Sequence, residues 1–298
     1  MELSREAYQL IVQHVNSRSD LYALTLTSRS FQRAAERALY NTLVLSDPSV
    51  AVNICRTLSS NPRIAPLVDA LTIFTSPHDE DDSDNDHGTE LPDGYLDSIE
   101  SALAQTTRLR HLNIHANGET TFAWVLRGAK FKLESFYCDL SWDRNLVNFL
   151  NSQDRLRDLY LSDFPPPSPS SIHDEASAPS TSASTNTLAV RPDALPALSI
   201  LECSFIDAIA ALVPDRPVTY VKTCFSREDV PGKTEELRKL AASLQRSSKR
   251  VRSLDLADAS YTEDFSLTVL GTMQRHLPEL RYFGTLVLPV GLEVRVSY

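Results

Sequence analysis

The sequence predicts an α/β fold in which a short three-helix segment precedes a series of strand–helix units. Apolar residues recur at helical spacing over residues 3–40. From residue 41 onward, a short apolar strand pattern returns repeatedly, and amphipathic stretches separate many of its copies. A chain of 298 residues with 42% hydrophobic content is long enough to bury a sizeable core.

Residues 3–40 are predicted to form three short helices. In the first, Leu3 and Ile11 lie on one apolar stripe, and Ser4 is placed to cap the helix. The third shows the same periodicity from Phe31 onward. Because three short helices bury little apolar surface alone, we expect them to need each other, the rest of the chain or a partner.

The rest of the chain contains eight copies of a strand pattern with apolar or small residues at its first, fourth and sixth positions. The fourth positions are Leu71, Leu112, Phe136, Leu159, Leu201, Val221, Leu254 and Phe283. Four of the seven spacings between them fall between 20 and 29 residues, the range of leucine-rich repeats. We therefore predict an irregular leucine-rich-repeat solenoid over residues 41–298, with parallel strands inside and helices outside. An α/β domain of ordinary topology is the alternative.

Two low-complexity segments lie within the longest spacings. Residues 76–94 contain eight acids and no Lys or Arg, and residues 164–192 are rich in Pro, Ser and Thr. Both are predicted to be disordered insertions between repeats. Without the eight acids, the net charge of −10 becomes −2, so most of the chain is nearly neutral.

Composition excludes several function classes. Clustered bases and long apolar runs are missing, so we expect neither a nucleic acid nor a membrane as partner. No phosphate-binding loop or nucleophile motif is present, so the sequence predicts no cofactor and no catalytic residues. The four cysteines are far apart, which argues against a metal site and favours a reducing compartment, cytoplasmic and/or nuclear. An α/β enzyme with an unrecognised site is left open.

The N-terminal segment resembles an F-box. The resemblance is carried by Leu3 and Glu6 at the opening, by the Asp20-Leu21 pair and by the SRSF step at 28–31. F-boxes are commonly followed by leucine-rich repeats, which the spacing of the remaining chain already predicts. The resemblance implies a non-enzymatic substrate-recognition subunit of an SCF-type cullin–RING ubiquitin ligase, with an F-box-like module over residues 1–40.

The resemblance also implies a partner, an SKP-type adaptor and through it a cullin. Ser4 stands where the family has proline. The positions matched to the apolar plug that binds the adaptor are Leu3, Ile11, Val15, Leu21, Leu24, Leu26 and Phe31. Some of these side chains are expected to pack the three helices together instead. A leucine-rich-repeat interaction scaffold without a ubiquitin-ligase role is the alternative.

The repeat register predicts which side chains line the open face, meaning the face of the strands turned away from the helices. The candidates for binding an unknown target protein are Tyr137, Asp139, Asp158, Tyr160, Glu202, Tyr220, Asp255 and Tyr282. Exposed tyrosines anchor protein partners, and the acids favour a partner with some positive charge. Tyr137 and Tyr160 occupy the same slot of consecutive copies and are the strongest candidate pair.

Overall fold

A computed structural model provides the structure of the chain. It describes residues 3–75, 91–116, 121–162, 189–257 and 262–287. The chain divides into two compact units, Met1–Leu140 and Ser141–Tyr298. Across the described ranges, no helix has the length and apolar character needed to span a membrane.

The first unit combines helices with parallel strands. Its helices are α1 (Arg5–Gln13), α2 (Arg18–Thr25), α3 (Arg29–Tyr40), α4 (Pro48–Ser60) and α5 (Tyr95–Gln105), with 3₁₀ turns at Ala65–Leu67 and Ala123–Leu126. Its strands are β1 (Thr42–Leu45), β2 (Ala70–Phe74), β3 (His111–His115) and β4 (Ser135–Cys138), paired in parallel in chain order. The predicted α/β class is confirmed.

Helices α1, α2 and α3 form a small bundle, in which α1 and α2 both pack against α3. Ser4, Ser17 and Ser28 precede the three helices, and each hydroxyl accepts the backbone N–H three residues ahead. The predicted capping by Ser4 is therefore confirmed. The buried core of the bundle consists of Val12, Leu21, Ala34 and Ala35, and Tyr8, Val15, Leu24, Phe31 and Leu39 pack against it.

One backbone turn recurs before successive strands of the first unit. The carbonyl of Asp69 accepts the N–H groups of Arg110 and His111, at 2.9 and 3.1 Å. The carbonyls of Asn41 and Arg110 accept the corresponding two N–H groups of the next strand. Because successive turns are joined by backbone hydrogen bonds, the strands stay in register although the lengths of chain between them differ.

The three predicted apolar anchors of the first unit form one row across its strands, and Leu43 extends this row onto β1. Leu43, Leu71, Leu112 and Phe136 are in register, and each is at most 6% exposed. Strand residues alternate between faces, so the residues between the anchors lie on the open face. The register predicted from the anchor spacing is confirmed for β2, β3 and β4.

The second unit also combines helices with parallel strands. Its helices are α6 (Arg144–Asn151), α7 (Ile206–Leu212), α8 (Val230–Gln245) and α9 (Glu263–His276). Its strands are β5 (Asp158–Leu161), β6 (Ile200–Cys203), β7 (Tyr220–Cys224), β8 (Ser253–Ala257) and β9 (Tyr282–Phe283), paired in parallel in chain order. The backbone turn of the first unit recurs here, with the accepting carbonyls on Arg157, Ser199, Thr219 and Arg252.

The anchors of the second unit also share a row, and its last strand is the least buried. Leu159, Leu201, Val221 and Leu254 are in register and 0% exposed. Phe283 continues the row but is only half-buried. Thr285, predicted as the final inward position of this copy, is exposed because β9 ends at Phe283.

A buried arginine ties the second unit together. Arg216 is only 2% exposed. It donates to five backbone carbonyls, those of Arg191, Ala194, Ala211, Leu212 and Pro214. Two of these belong to the end of α7, where carbonyls lack partners within the helix. Two others belong to the segment that leads into β6, so Arg216 joins that segment to α7.

Most of the two predicted insertions, 76–94 and 164–192, lies outside the described residues. Only their last residues, 91–94 and 189–192, are described. Gly94 adopts a φ of 71° immediately before α5, a left-handed conformation that favours glycine. The backbone N–H of Arg191 donates to Asn151 Oδ1 at 2.8 Å. The turn at Gly94 thus fixes the chain before α5 in the first unit. The hydrogen bond of Arg191 fixes the chain before β6 in the second unit.

Two buried helical serines in the second unit differ in their partners. Ser266 on α9 is 0% exposed, and its hydroxyl has no hydrogen-bond partner among the described residues. Ser243 on α8 is also buried, and its hydroxyl donates to the Lys239 carbonyl at 2.7 Å. Replacing Ser266 with alanine is expected to raise the free energy of unfolding by about 1 kcal/mol, because an unsatisfied hydroxyl is removed from the core.

Chemical denaturation of the two alanine variants tests this expectation. Ser243→Ala is the matched control, since it removes a hydroxyl that is already hydrogen-bonded. It should leave stability unchanged or lower it slightly. Equal effects of Ser266→Ala and Ser243→Ala would show that the Ser266 hydroxyl has a partner in solution.

Candidate interaction surfaces

The three-helix bundle carries five exposed large apolar residues, which we together call the module surface. It consists of Leu3, Leu10, Ile11, Tyr22 and Leu26, whose exposed fractions run from 40% for Ile11 to 72% for Leu26. Eleven large apolar residues of the described chain are exposed, and five of them belong to this surface. Exposed apolar side chains concentrated on so short a segment are typical of a surface that binds a protein.

The residues matched to the adaptor-binding plug divide between this surface and the core of the bundle. Leu3, Ile11 and Leu26 are exposed. The other four belong to the core or pack against it: Val15, Leu21, Leu24 and Phe31. Phe31, for example, contacts Tyr8 edge to face with 4.8 Å between ring centroids. Leu21 is buried, whereas Val15, Leu24 and Phe31 are partly exposed while they pack against the core.

Sequence reasoning missed two members of the module surface, Leu10 and Tyr22. Both are more than half exposed, at 58% and 62%. Tyr22 precedes Leu26 by four residues, so the two share one face of α2 and its C-cap. That spacing could have identified Tyr22, whereas Leu10 sits on a helix with apolar residues on more than one face.

A buried carboxylate fixes the bundle to the next segment of the first unit. Glu36 on α3 is 8% exposed. Each of its two carboxylate oxygens accepts a hydrogen bond from one terminal nitrogen of Arg63, and the bond from Nη2 is 2.9 Å long. The Gln32 side-chain amide also donates to the Glu36 carboxylate, at 3.0 Å. A two-pronged arginine–carboxylate pair defines direction as well as distance. The module surface is therefore held in one orientation relative to the turn that precedes β2.

The open face of the first unit carries a row of aromatic rings. Phe74 and His115 are stacked, with centroids 4.6 Å apart and planes 9° apart. His115 in turn contacts Tyr137, with centroids 4.9 Å apart. Asp139 has a structural role, since its carboxylate accepts the backbone N–H of Ala116 at 2.6 Å. Asp139 is predicted to bind the target, but its carboxylate also makes this hydrogen bond, which holds the chain after β3.

The open face of the second unit combines tyrosines with charged side chains in two rows. One row runs Tyr160, Glu202, Lys222 and Asp255, all in register. The other runs Asp158, Ile200, Tyr220, Ser253 and Tyr282. Six of the predicted target-binding residues thus share one sheet face. Tyr137 lies in the first unit, so the predicted pair with Tyr160 spans two units.

Charged side chains on neighbouring strands of this face interact with one another and with Tyr220. Lys222 Nζ lies 3.3 Å from Glu202 Oε2, and the Glu202 carboxylate raises the pKa of Lys222. Burial raises the pKa of the Tyr220 hydroxyl, and the carboxylates of Glu202 and Asp255 raise it further. Tyr220 therefore stays protonated and is available as a hydrogen-bond donor over the physiological pH range.

The second unit contains a cleft with charged walls, and two of the cysteines have raised pKa values. A cleft of about 640 Å³ in the second unit is lined by charged side chains, including Asp207 and Lys239, which form an ion pair with each other. Burial raises the pKa of the Cys55 thiol to about 11 and that of Cys203 to about 12, which disfavours the reactive thiolate. Among the described residues, no group of three or more His, Cys, Asp or Glu is placed to hold a metal ion.

No protein-family model matches the chain, and no curated protein matches it. The function is therefore inferred from the residues of the chain and their geometry.

Proposed function

We propose that the chain is a non-enzymatic substrate-recognition adaptor of an SCF-type cullin–RING ubiquitin ligase. In this proposal residues 1–40 are an F-box-like module whose surface binds an SKP-type adaptor. The following residues form an irregular leucine-rich-repeat domain whose open face binds the target protein. The ubiquitin-transfer chemistry belongs to other subunits of the ligase.

The module surface is the observation that carries the proposal. Val12, Leu21, Ala34 and Ala35 provide a buried core for the bundle, so its stability does not account for five further exposed apolar residues. Burying them against a partner would remove apolar area from water at about 25 cal/mol per Å². A helical segment that needs an apolar partner is what the F-box resemblance implies.

The repeated turn supports the second half of the proposal. Each described turn places the next strand in register, so side chains from successive strands form continuous rows on one rigid face. A face built on strands holds its side chains with little loss of conformational entropy on binding. Tyr160, Tyr220 and Tyr282 on this face are of the residue type that dominates protein interfaces.

The adaptor interaction is testable with surface variants that spare the core. Wild-type chain, Leu10→Asp/Ile11→Asp and Tyr22→Asp/Leu26→Asp would be titrated against a purified SKP-type adaptor by biolayer interferometry. We expect wild-type binding and a loss of at least about 100-fold in affinity for each double variant, because buried apolar anchors contribute about 2 kcal/mol or more each.

The matched control is a double variant at exposed apolar sites away from the bundle. Val50 on α4 and Leu267 on α9 are 52% and 40% exposed, so Val50→Asp/Leu267→Asp introduces the same charge elsewhere. It should bind the adaptor like wild type. Circular dichroism confirms that each variant is folded. Absence of adaptor binding by the folded wild-type chain would overturn the ligase role.

One observation favours a second candidate function, a leucine-rich-repeat scaffold that binds a partner without any ubiquitin ligase. Position 4 is serine, whereas the family opens with proline. The Ser4 hydroxyl begins α1 by accepting the Ala7 N–H at 3.3 Å, so the helix forms without proline. The titration above separates the two functions, since the scaffold needs no adaptor.

A further inference from the structure

Two tyrosines on the open face of the second unit stand on either side of a small residue. Tyr220 on β7 and Tyr282 on β9 are both in register with Ser253 on the strand between them. Adjacent strands are about 4.8 Å apart, so the two tyrosines are rooted about 10 Å apart. Tyr282 is 55% exposed, and Tyr220 is half-buried. Because Ser253 is short, its own side chain does not fill the space between the two tyrosines.

A carboxylate closes one end of this space. Asp255 follows Ser253 by two residues, so its side chain is on the same face of β8. It leans towards β9, because a Cβ built on Gly284 would collide with Asp255 Oδ1. Glycine at position 284 thus leaves room for the carboxylate beside the strand of Tyr282. The influence of Asp255 and Tyr282 on the pKa of Tyr220 agrees with this grouping.

Asp255 makes no ion pair with a described residue. The cation nearest to it in register is Lys222, and Lys222 is held at 3.3 Å by Glu202 on the other side. Across this face, Asp158, Glu202 and Asp255 outnumber the single lysine. The face is therefore complementary to a positively charged partner.

We propose that Tyr220, Asp255 and Tyr282 form a docking site for an arginine side chain of the target protein. The guanidinium lies between the two tyrosine rings and pairs with the Asp255 carboxylate. This inference rests on the proposed function, since it names the chemistry of the target that the open face recruits. The predicted positive charge of the partner is thereby specified as an arginine side chain, and its binding site as three residues of this chain.

Arginine fits this arrangement better than lysine. Its planar guanidinium stacks on aromatic faces and donates two parallel hydrogen bonds to a carboxylate. A lysine ammonium is compact and strongly hydrated, so it gains less from two flat walls. The hydroxyl groups of the tyrosines can accept further hydrogen bonds from the same guanidinium.

The probe is an acetylated and amidated Gly-Arg-Gly peptide, titrated into the isotope-labelled full chain while backbone amide shifts are recorded by NMR. The same peptide with citrulline replaces the guanidinium by a neutral group of the same shape, and a lysine peptide keeps only the charge. We expect the arginine peptide to shift the amides of Tyr220, Asp255 and Tyr282. The lysine peptide should bind several-fold more weakly, and the citrulline peptide at least about tenfold more weakly.

Asp255→Asn should weaken the arginine peptide at least about tenfold, because the charged hydrogen-bond acceptor is lost while the shape remains. Tyr220→Leu and Tyr282→Leu should each weaken it several-fold. Asp154→Asn is the matched control, since Asp154 is an exposed acid outside the strands, and it should change nothing. Equal binding of the three peptides, shifts confined to other residues, or full binding by Asp255→Asn would overturn the arginine site.

Adaptor binding by the same samples separates this inference from the proposed function. A chain that binds the adaptor but not the arginine peptide overturns the docking site alone. A chain that binds the arginine peptide but not the adaptor overturns the ligase role and keeps the site. Adaptor binding by Asp255→Asn also shows that this variant is folded.

Discussion

Replacing Arg216 with methionine is expected to lower the free energy of unfolding by about 3 to 5 kcal/mol. Methionine fills similar volume but donates no hydrogen bond. Five backbone carbonyls would then lose their donor in a site where the native residue is 2% exposed. Buried polar groups left without partners carry the full cost of desolvation.

Urea denaturation followed by circular dichroism measures this loss. Arg246→Met is the matched control, because Arg246 is exposed and lies 3.5 Å from Asp215 in an ion pair at the surface. That variant should change stability by less than about 1 kcal/mol. Similar losses for the two variants would contradict the role assigned to Arg216 in joining α7 to the segment before β6.

Replacing Phe136 with alanine is expected to cost about 3 to 5 kcal/mol of the free energy of unfolding. Phe136 is 1% exposed and belongs to the anchor row of the first unit, so alanine leaves a cavity among Leu112 and its neighbours. The next residue, Tyr137, points to the open face and contacts His115. Tyr137→Ala should therefore cost only about 1 kcal/mol.

The contrast between these adjacent residues tests the register of β4, and the same denaturation measurement decides it. A one-residue shift of the strand would exchange the two faces and reverse the order of the two losses. A larger loss for Tyr137→Ala than for Phe136→Ala would mean that the anchor row is misassigned.

Local patterns in the chain were sufficient to predict most of the strands. The repeated spacing identified Leu71, Leu112 and Phe136 as inward residues on successive parallel strands, and the structure places all three in the same row. The prediction works because alternation along a strand and helix formation between strands are short-range properties. Helix α4 was not predicted, although Asp47 caps it and Pro48 begins it.

The candidate sites were predicted less completely, because an apolar pattern does not say which face finds a neighbour. Helix α1 has apolar residues on two sides: Val12 is buried in the bundle, while Leu10 is 58% exposed. Leu21 matched the adaptor-binding pattern but is 7% exposed within the core. Only the packing of α1 and α2 against α3 distinguishes the two groups.

The sequence by itself determined the order of helices and strands, the caps of the first three helices and the residues on each strand face. Those features depend on contacts within a few residues. The tertiary structure decided which apolar residues remain exposed, how Arg216 satisfies five carbonyls, and how Asp255 comes to lie on the same face as Tyr220 and Tyr282. These depend on residues that are far apart in the chain, which strand pairing and burial bring together and local periodicity does not.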